Sequence, residues 1–301
     1  MKILVTACQG PAGMSALFLL PKLGVHAEGI DANSGFPSAD RPNYLGEIAA
    51  LMRIGRFDYV LPCSDEEAEA LAAFEDGSRI GSNQAAVKLC RDKWRAYAHV
   101  KLQTRVPVPR TSLGGFIKPR IGRGSRGTSR VVASYVVSEY LPGVEHTVDA
   151  LCWNGEVVCD VVRRRTIVQD AISITGAVEP SDGSILMHAY VADIVRALQL
   201  HGPVSIQFKR RDDGADCFTE INPRLAGGAT ISAAAGSNIL APLPALLLGA
   251  SVQMARHAFT PPTPGVYETQ ITPRRRVGSA CQPGLEPAGC PLPGACACPL
   301  A

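Results

Sequence analysis

The chain has 301 residues, 46% hydrophobic and 19% charged, with a formal net charge of +3. That length allows two domains with sizeable cores, and so small a net charge argues against a nucleic-acid partner, although Arg163-Arg164-Arg165 and Arg274-Arg275-Arg276 are locally basic. No apolar run reaches the roughly 18 residues of a membrane span, and "MKILVT" enters a strand pattern instead of a signal peptide, so the expected setting is cytoplasmic with no membrane partner.

Residues 1–88 alternate strands and helices. "KILVTA" reads as a strand, "GPAGMSALFLLPKLG" as loop and helix, "VHAEGIDA" as a strand ending in Asp31, and "FDYVLP" as a strand. "SDEEAEALAAFEDG" follows as an acid-capped helix and "SRIG" as a short strand, which together make a small doubly wound parallel sheet. Gly10 and Gly13 follow the first strand and Asp31 lies 21 residues past Gly10. This is an incomplete dinucleotide fingerprint, and tight strand-to-helix turns need glycine whatever they bind. Cys8, Cys63, Cys90, Cys152, Cys159 and Cys217 sit in apolar surroundings, the usage of buried thiols in a reducing compartment.

From "NQAAVKLCRDKWRAYAHVK", read as one helix, the pattern changes to glycine-broken strands. Gly122-Arg-Gly-Ser-Arg-Gly127 spells G-x-G-x-x-G, but the residues after it are β-branched and carry no helical spacing, and Thr128 stands where a P-loop needs lysine. What remains is a glycine-rich loop joining two strands, preceded by Lys118. It is suited either to lie over a polyphosphate or to be a solvated turn. Strands follow at "YVVSEYL", "EHTVDALCW" and "EVVCDVVRRR", then a helix at "ILMHAYVADIVRALQL" and an apolar helical region at 229–248. In that region "ILAPLPALLLGA" is either core or the face of a homodimer. His146, His188 and His201 have no nucleophile beside them in the sequence and read as structural.

"SIQFKRRDDGADCFTEIN" reads as a hairpin with a two-residue turn at Asp213-Gly214. That register sets Gln207 opposite Glu220. Ile206, Phe208, Cys217 and Ile221 then share one face, and Gln207, Glu220 and Asn222 share the other. One carboxylate with two amide oxygens suits a hard cation that also takes phosphate oxygens, and equally the polar face of an edge hairpin.

Taken in order, "CRDKW", "FIKPRIGRGSRG", "SEYLPGVEHTVDAL" and "GPVSIQF" with "FTEINPRLAGG" resemble the ATP-grasp enzymes. The resemblance is to the carbamoyl-phosphate synthase large-subunit-like branch, and it runs from Met1 to about Tyr267. It implies an α/β fold: a Rossmann-like pre-ATP-grasp domain over 1–88, an ATP-grasp domain over 89–270 with a shortened small subdomain, and a Cys/Pro/Gly-rich tail over 271–301. It also implies ATP as cofactor, with Lys93 and Lys118 on its phosphates and the loop with Gly122, Gly124 and Gly127 closing over them. Glu139 and the backbone of Tyr140 and Leu141 would lie at the adenine, and Glu145 at the ribose. Gln207, Glu220 and Asn222 would hold one or two Mg²⁺ (or Mn²⁺), Arg224 would face the transferred phosphoryl group, and Arg163 would hold the substrate carboxylate.

The implied activity is a ligase joining a small-molecule carboxylate to an amine or ammonia through an acyl phosphate. Against the family pattern, the segments Lys93–Lys118 and Gly127–Glu139 are short, and "ADRPNYLGE" looks contracted. A degenerate relative that binds nucleotide without turnover is the alternative.

Overall fold

Parallel pairing of short strands opens the chain. The structure, a computed structural model, describes residues 1–74, 76–110, 116–119, 135–169, 172–180 and 185–271. The first elements are β1 (Lys2–Val5), α1 (Pro11–Leu19), β2 (His26–Gly29), α2 (Tyr44–Ile54), β3 (Tyr59–Leu61) and α3 (Asp65–Leu71), with the strands in the parallel order β2-β1-β3. Side chains alternate across β1. Ile3 and Val5 pack with Ala16 and Leu19 of α1, while Leu4 packs with Tyr44, Ile48 and Met52 of α2 and Leu71 of α3. Helices therefore cover both faces. The stretch that looked contracted holds α2, whose buried residues Tyr44, Ile48 and Met52 recur at helical spacing. "SRIG" contributes a single parallel bridge, Arg79 to Val60, rather than a strand.

The helix expected over residues 83–101 is two helices, α4 (Gln84–Arg91) and α5 (Lys93–Gln103). They break at Asp92, which is extended at φ −99°, ψ 97°, and whose carboxylate accepts from Arg95 N at 3.2 Å. Asp92 is thus an N-cap inside an apparently continuous helical pattern. It places Lys93 at the first position of α5.

β4 (Phe116–Pro119) and β5 (Tyr135–Ser138) form a two-stranded antiparallel sheet with Lys118 opposite Val136. Strands thus flank the glycine-rich loop. Gly122, Gly124 and Gly127 themselves lie outside the described residues, as does the tail from 272.

The body is a six-stranded sheet of order β10-β9-β6-β7-β8-β11. In chain order its elements are β6 (Glu145–Trp153), β7 (Glu156–Gln169), β8 (Ile172–Val178), α6 (Ile185–Leu198), β9 (Gly202–Arg210) and β10 (Asp216–Asn222). After these come α7 (Ala229–Ala234), α8 (Leu243–Leu247), α9 (Val252–Arg256) and β11 (Gly265–Glu268). The sequence pattern had not marked β8 or β11. Val148, Ala150, Val204, Ile206, Phe208 and Phe218 form one face, packed against α5 and α6. On the opposite side Leu151 and Val161 join a core shared with β1, α1 and the α7–α8 region. Within "ILAPLPALLLGA", Ile239, Leu240, Leu243 and Leu246 are core, and Leu248 is 81% exposed.

The β9–β10 turn differs from the two-residue reading. Arg211 N donates to Ala215 O at 2.8 Å and Gly214 stands at φ +85°, so three residues, Asp212 to Gly214, make the connection, with glycine in the left-handed region. This shifts the register by one residue near the turn, pairing Phe218 with Phe208. A bulge at Thr219 shifts it back, and Glu220 pairs with Gln207. Cys217 pairs with Lys209 and so shares the Gln207 side of the sheet, a correction to its placement beside Phe208. The bulge is anchored, since Tyr97 Oη donates to Thr219 O at 2.8 Å and Thr219 Oγ1 donates to Gln207 O at 3.1 Å.

Among the described residues no helix is long and apolar enough to cross a membrane. Cys63, Cys90, Cys152, Cys159 and Cys217 are buried free thiols, and Cys8 is half-buried.

Candidate active site

One face of the six-stranded sheet carries a continuous row of paired residues, Glu220–Gln207–Thr147–Arg163, one from each of β10, β9, β6 and β7. Paired residues in adjacent antiparallel strands project to the same side, so the alternation that buries Phe208 also gathers these polar groups. The next row on that face runs Asn222–Ser205–Asp149–Val161. Gln207, Glu220 and Asn222 therefore share a face, as the sequence led us to expect.

At the β10 edge, Asp65, Cys90, Arg91, Lys93, Glu220, Ile221 and Asn222 line a cleft. Lys93 is 9% exposed and its Nζ lies 3.3 Å from Glu220 Oε1. Arg224, just past β10, donates from Nε to Asp65 Oδ1 at 2.9 Å and from Nη2 to Asp65 Oδ2 at 3.4 Å. Its Nη2 is also 3.4 Å from Asn222 Oδ1, and Nη1 donates to Leu225 O at 3.0 Å. Burial opposes the Arg224 charge, yet attraction and hydrogen bonding to Asp65 outweigh it and raise the pKa above the usual guanidinium value. Cys90 is the cleft's thiol. Burial, reinforced by Asp65, pushes it up to about 12, which favours the neutral thiol there.

Arg163 is 2% exposed and Asp149 fully buried. The arginine donates from Nε to Asp149 Oδ2 at 2.6 Å and from Nη2 to Oδ1 at 2.9 Å, and Ser232 Oγ donates to Oδ2 at 2.9 Å. Gly228 lies on the guanidinium, where a Cβ would stand 2.9 Å from Nη2, so no larger residue fits without displacing it. Asp149 thus occupies the Nε–Nη2 edge. Nη1 is buried without an acceptor among the described residues.

Toward the small sheet, Glu139 follows β5, its N–H donating to Arg110 O at 2.7 Å. Its carboxylate is held by Arg110 Nε and by Arg211 Nη1, the latter at 3.4 Å. Partial burial would raise this carboxyl, but the hydrogen bonds from Arg110 and Arg211 prevail and hold it below the usual range. Tyr140 is 64% exposed, with Lys209 Nζ 5.7 Å from its ring centroid, and Leu141 is buried. Glu145 pairs with Arg165 and sits opposite Lys209.

The structure thus brings Lys93, Glu220 and Asn222 to one cleft, with Arg224 bonded to its lining residues Asp65 and Asn222 and with Gln207 paired to Glu220. Glu139–Leu141 and Glu145 sit at the small-sheet end, and Arg163 stands farther along the row. Asp65, Asp149, Arg110 and Arg211 are functional-site neighbours that the sequence did not reveal. Asp65 read as one of several helix-capping acids. Asp149 left a faint signal, an acid alternating with Glu145 and Thr147 in an otherwise apolar strand. His146, His188 and His201 do not line the cleft. The dinucleotide reading of Asp31 also weakens. Its oxygens accept from Gln9 N and Asn33 N, both at 2.9 Å, so the carboxylate closes a local turn.

A family model described as "ATP-grasp in the biosynthetic pathway with Ter operon" matches residues 132–272. Among curated proteins none matches the chain. Among solved structures, the fold is similar to the biotin carboxylase domain of Hydrogenobacter thermophilus 2-oxoglutarate carboxylase, determined with MgADP, ADP and bicarbonate. That likeness has a TM-score of 0.68 at 16% identity, over 88% of this chain and 73% of that one. It is also similar to an L-amino acid ligase from Bacillus licheniformis (TM-score 0.63, 14% identity, 87% of this chain and 77% of that one). N5-carboxyaminoimidazole synthetase from Staphylococcus aureus, complexed with ADP, gives 0.57 at 15% identity over 78% and 73%. At these identities the likeness is one of fold. The matched stretch, somewhat under half of the chain, spans the whole row from Glu220 to Arg163, and over it the chain is similar to the ATP-grasp family which that model describes.

Proposed function

We propose that the protein is an ATP-dependent ligase that joins a small-molecule carboxylate to an amine or ammonia. The observation that carries this reading is the convergence of Lys93, Glu220 and Asn222 on one cleft, with Arg224 bonded to its lining residues Asp65 and Asn222, so that cations and oxygen donors from α5, β10 and the turn after it lie together. Phosphoryl transfer asks little covalent chemistry of the protein and much positioned charge, which is what such a set supplies. The acid's oxygen takes the γ-phosphoryl group of ATP to give an acyl phosphate and ADP. The amine nitrogen then attacks the acyl carbon, forming the amide as phosphate leaves.

In this reading Lys93 and Lys118 meet the phosphates, and the loop bearing Gly122, Gly124 and Gly127 closes over them. Glu139, Tyr140 and Leu141 lie at the adenine and Glu145 at the ribose. Arg224 faces the transferred group, and Arg163, whose Nε–Nη2 edge is taken, offers Nη1 to the acid. The cleft also fits Mg²⁺. With Asp65 engaged by Arg224, the donors left for a metal are the Glu220 carboxylate and amide oxygens, and Glu220 already attracts a cation, the Lys93 ammonium. Glu220, Asn222 and Gln207 would hold the metal, which when bound neutralises phosphate charge.

The test is hydroxamate trapping. Incubated with MgATP, hydroxylamine and a panel of carboxylic acids, the protein is expected to form a hydroxamate and ADP with one class of acid and neither without it. ADP formation that ignores the acid would contradict the proposal. A second reading, nucleotide binding without turnover, draws on the small sheet, which has two strands among the described residues, and it predicts no hydroxamate with any acid.

A further inference from the structure

Asp65 belongs to the N-terminal parallel-sheet unit, yet its carboxylate holds the guanidinium of Arg224, 159 residues away, and lines the same cleft as Lys93, Glu220 and Asn222. We propose that Asp65 is a positioning residue for phosphoryl transfer: it orients Arg224 across the interface between the parallel-sheet unit and the antiparallel body. This rests on the ligase reading above and deepens it.

The contact is built from both sides. Asp65 is the first residue of α3, and Ser64, the N-cap, accepts from Glu67 N at 3.2 Å. Glu67 ties that turn to the end of β1, accepting from Thr6 Oγ1 at 2.6 Å and from Ala7 N at 3.2 Å. Thr6 Oγ1 in turn accepts from Cys63 N at 3.4 Å. The Asp65 side chain is 5% exposed and that of Arg224 16%. The turn carrying Asp65 is therefore fixed to the sheet before it meets Arg224.

The guanidinium inventory shows what this fixing leaves. Nε and Nη2 are taken by Asp65 and Asn222, and one N–H of Nη1 by Leu225 O, so among the described residues the remaining donor is the second N–H of Nη1. An arginine free in solution carries rotamer entropy that is lost when it grips a ligand. Held this way, Arg224 has already lost it. Asp65 also subtracts charge from the site, an opposing effect, but a planar fork bound along one edge keeps its positive charge and gains a defined direction.

The experiment measures Mg²⁺-ADP affinity by calorimetry with and without beryllium fluoride, which stands in for the γ-phosphoryl group. It compares the wild type with Asp65→Asn, Asp65→Glu, Arg224→Lys and the Asp65→Asn/Arg224→Lys double variant. The readout is the gain in affinity on adding the fluoride, which a purely structural brace would not alter. We expect Asp65→Asn to cut that gain by about tenfold, the worth of one charge-assisted hydrogen bond. Asp65→Glu should recover part of it, and the double variant should lose no more than Arg224→Lys alone. A wild-type gain that survives intact in Asp65→Asn, or losses that simply add in the double variant, would overturn the role of Asp65 and leave the ligase reading standing. A wild-type protein that binds no Mg²⁺-ADP would instead contradict the ligase reading itself, and this proposal with it.

Discussion

Glu220→Ala is expected to lower acid-dependent ADP formation by roughly 10²–10³-fold, the scale seen when one preorganised electrostatic group is removed from a reaction centre. Two losses coincide there. Glu220 is the carboxylate among the three oxygen donors, and it is the partner of Lys93 Nζ at 3.3 Å. Its removal takes away the carboxylate among the proposed metal donors and, with it, an ion-pair partner of a 9% exposed ammonium. Glu220→Gln separates the two, since it keeps the volume and the oxygen but not the charge. It should be nearly as inactive while unfolding at close to the wild-type denaturant concentration. Steady-state rates for the three proteins, each within about threefold of the others, would mean that Glu220 takes no part in turnover.

Asp149→Ala should have the largest effect on stability, a loss of about 3–5 kcal/mol in urea unfolding. The pair it breaks is buried on both sides, and among the described residues Arg163 bonds to no other carboxylate, Gly228 lies against its guanidinium and Nη1 has no acceptor. The penalty comes mainly from stranding a buried charge. Replacing both members by apolar residues, Asp149→Leu with Arg163→Met, should therefore recover most of it, although Arg163 would then be lost to the acid. A cost below about 1 kcal/mol for Asp149→Ala, the scale of an exposed pair, would show that water reaches the site.

Most of the architecture was legible because its signals are local. Alternation marked β6, β9 and β10, and Ser64 with the acids behind it marked α3. What was missed needed information from elsewhere in the chain. Asp92 interrupts a helical pattern without disturbing its polarity, so the break between α4 and α5, which sets Lys93 at a helix start, did not show. The β9–β10 hairpin is instructive. A two-residue turn was the simplest reading of Asp213-Gly214, and the real connection has one more residue, yet the bulge at Thr219 restores the pairing before Glu220 is reached. The Gln207–Glu220 pair was read correctly through two deviations that cancel, whereas Cys217, lying between them, was placed on the wrong face.

The site's charged partners were the least legible part. Asp65 meets Arg224 across 159 residues, and Glu139 meets Arg110 and Arg211 across 29 and 72. Motif order pointed to one end of each hairpin but said nothing of what neutralises it. That neutralisation shapes the chemistry. Lys93 in the cleft and Arg224 beside it both face carboxylates, so under the proposed ligase reading incoming phosphates would compete with, or be oriented by, charges already in place.

The most direct test of the central claim is a calorimetric titration of the protein with a non-hydrolysable ATP analogue, in Mg²⁺ and in a chelator. The account predicts saturable binding at about one nucleotide per chain that depends on Mg²⁺ and loses that dependence in Glu220→Ala. Binding that is indifferent to the cation, or no binding at all, would contradict the assignment of this cleft as a metal-assisted ATP site.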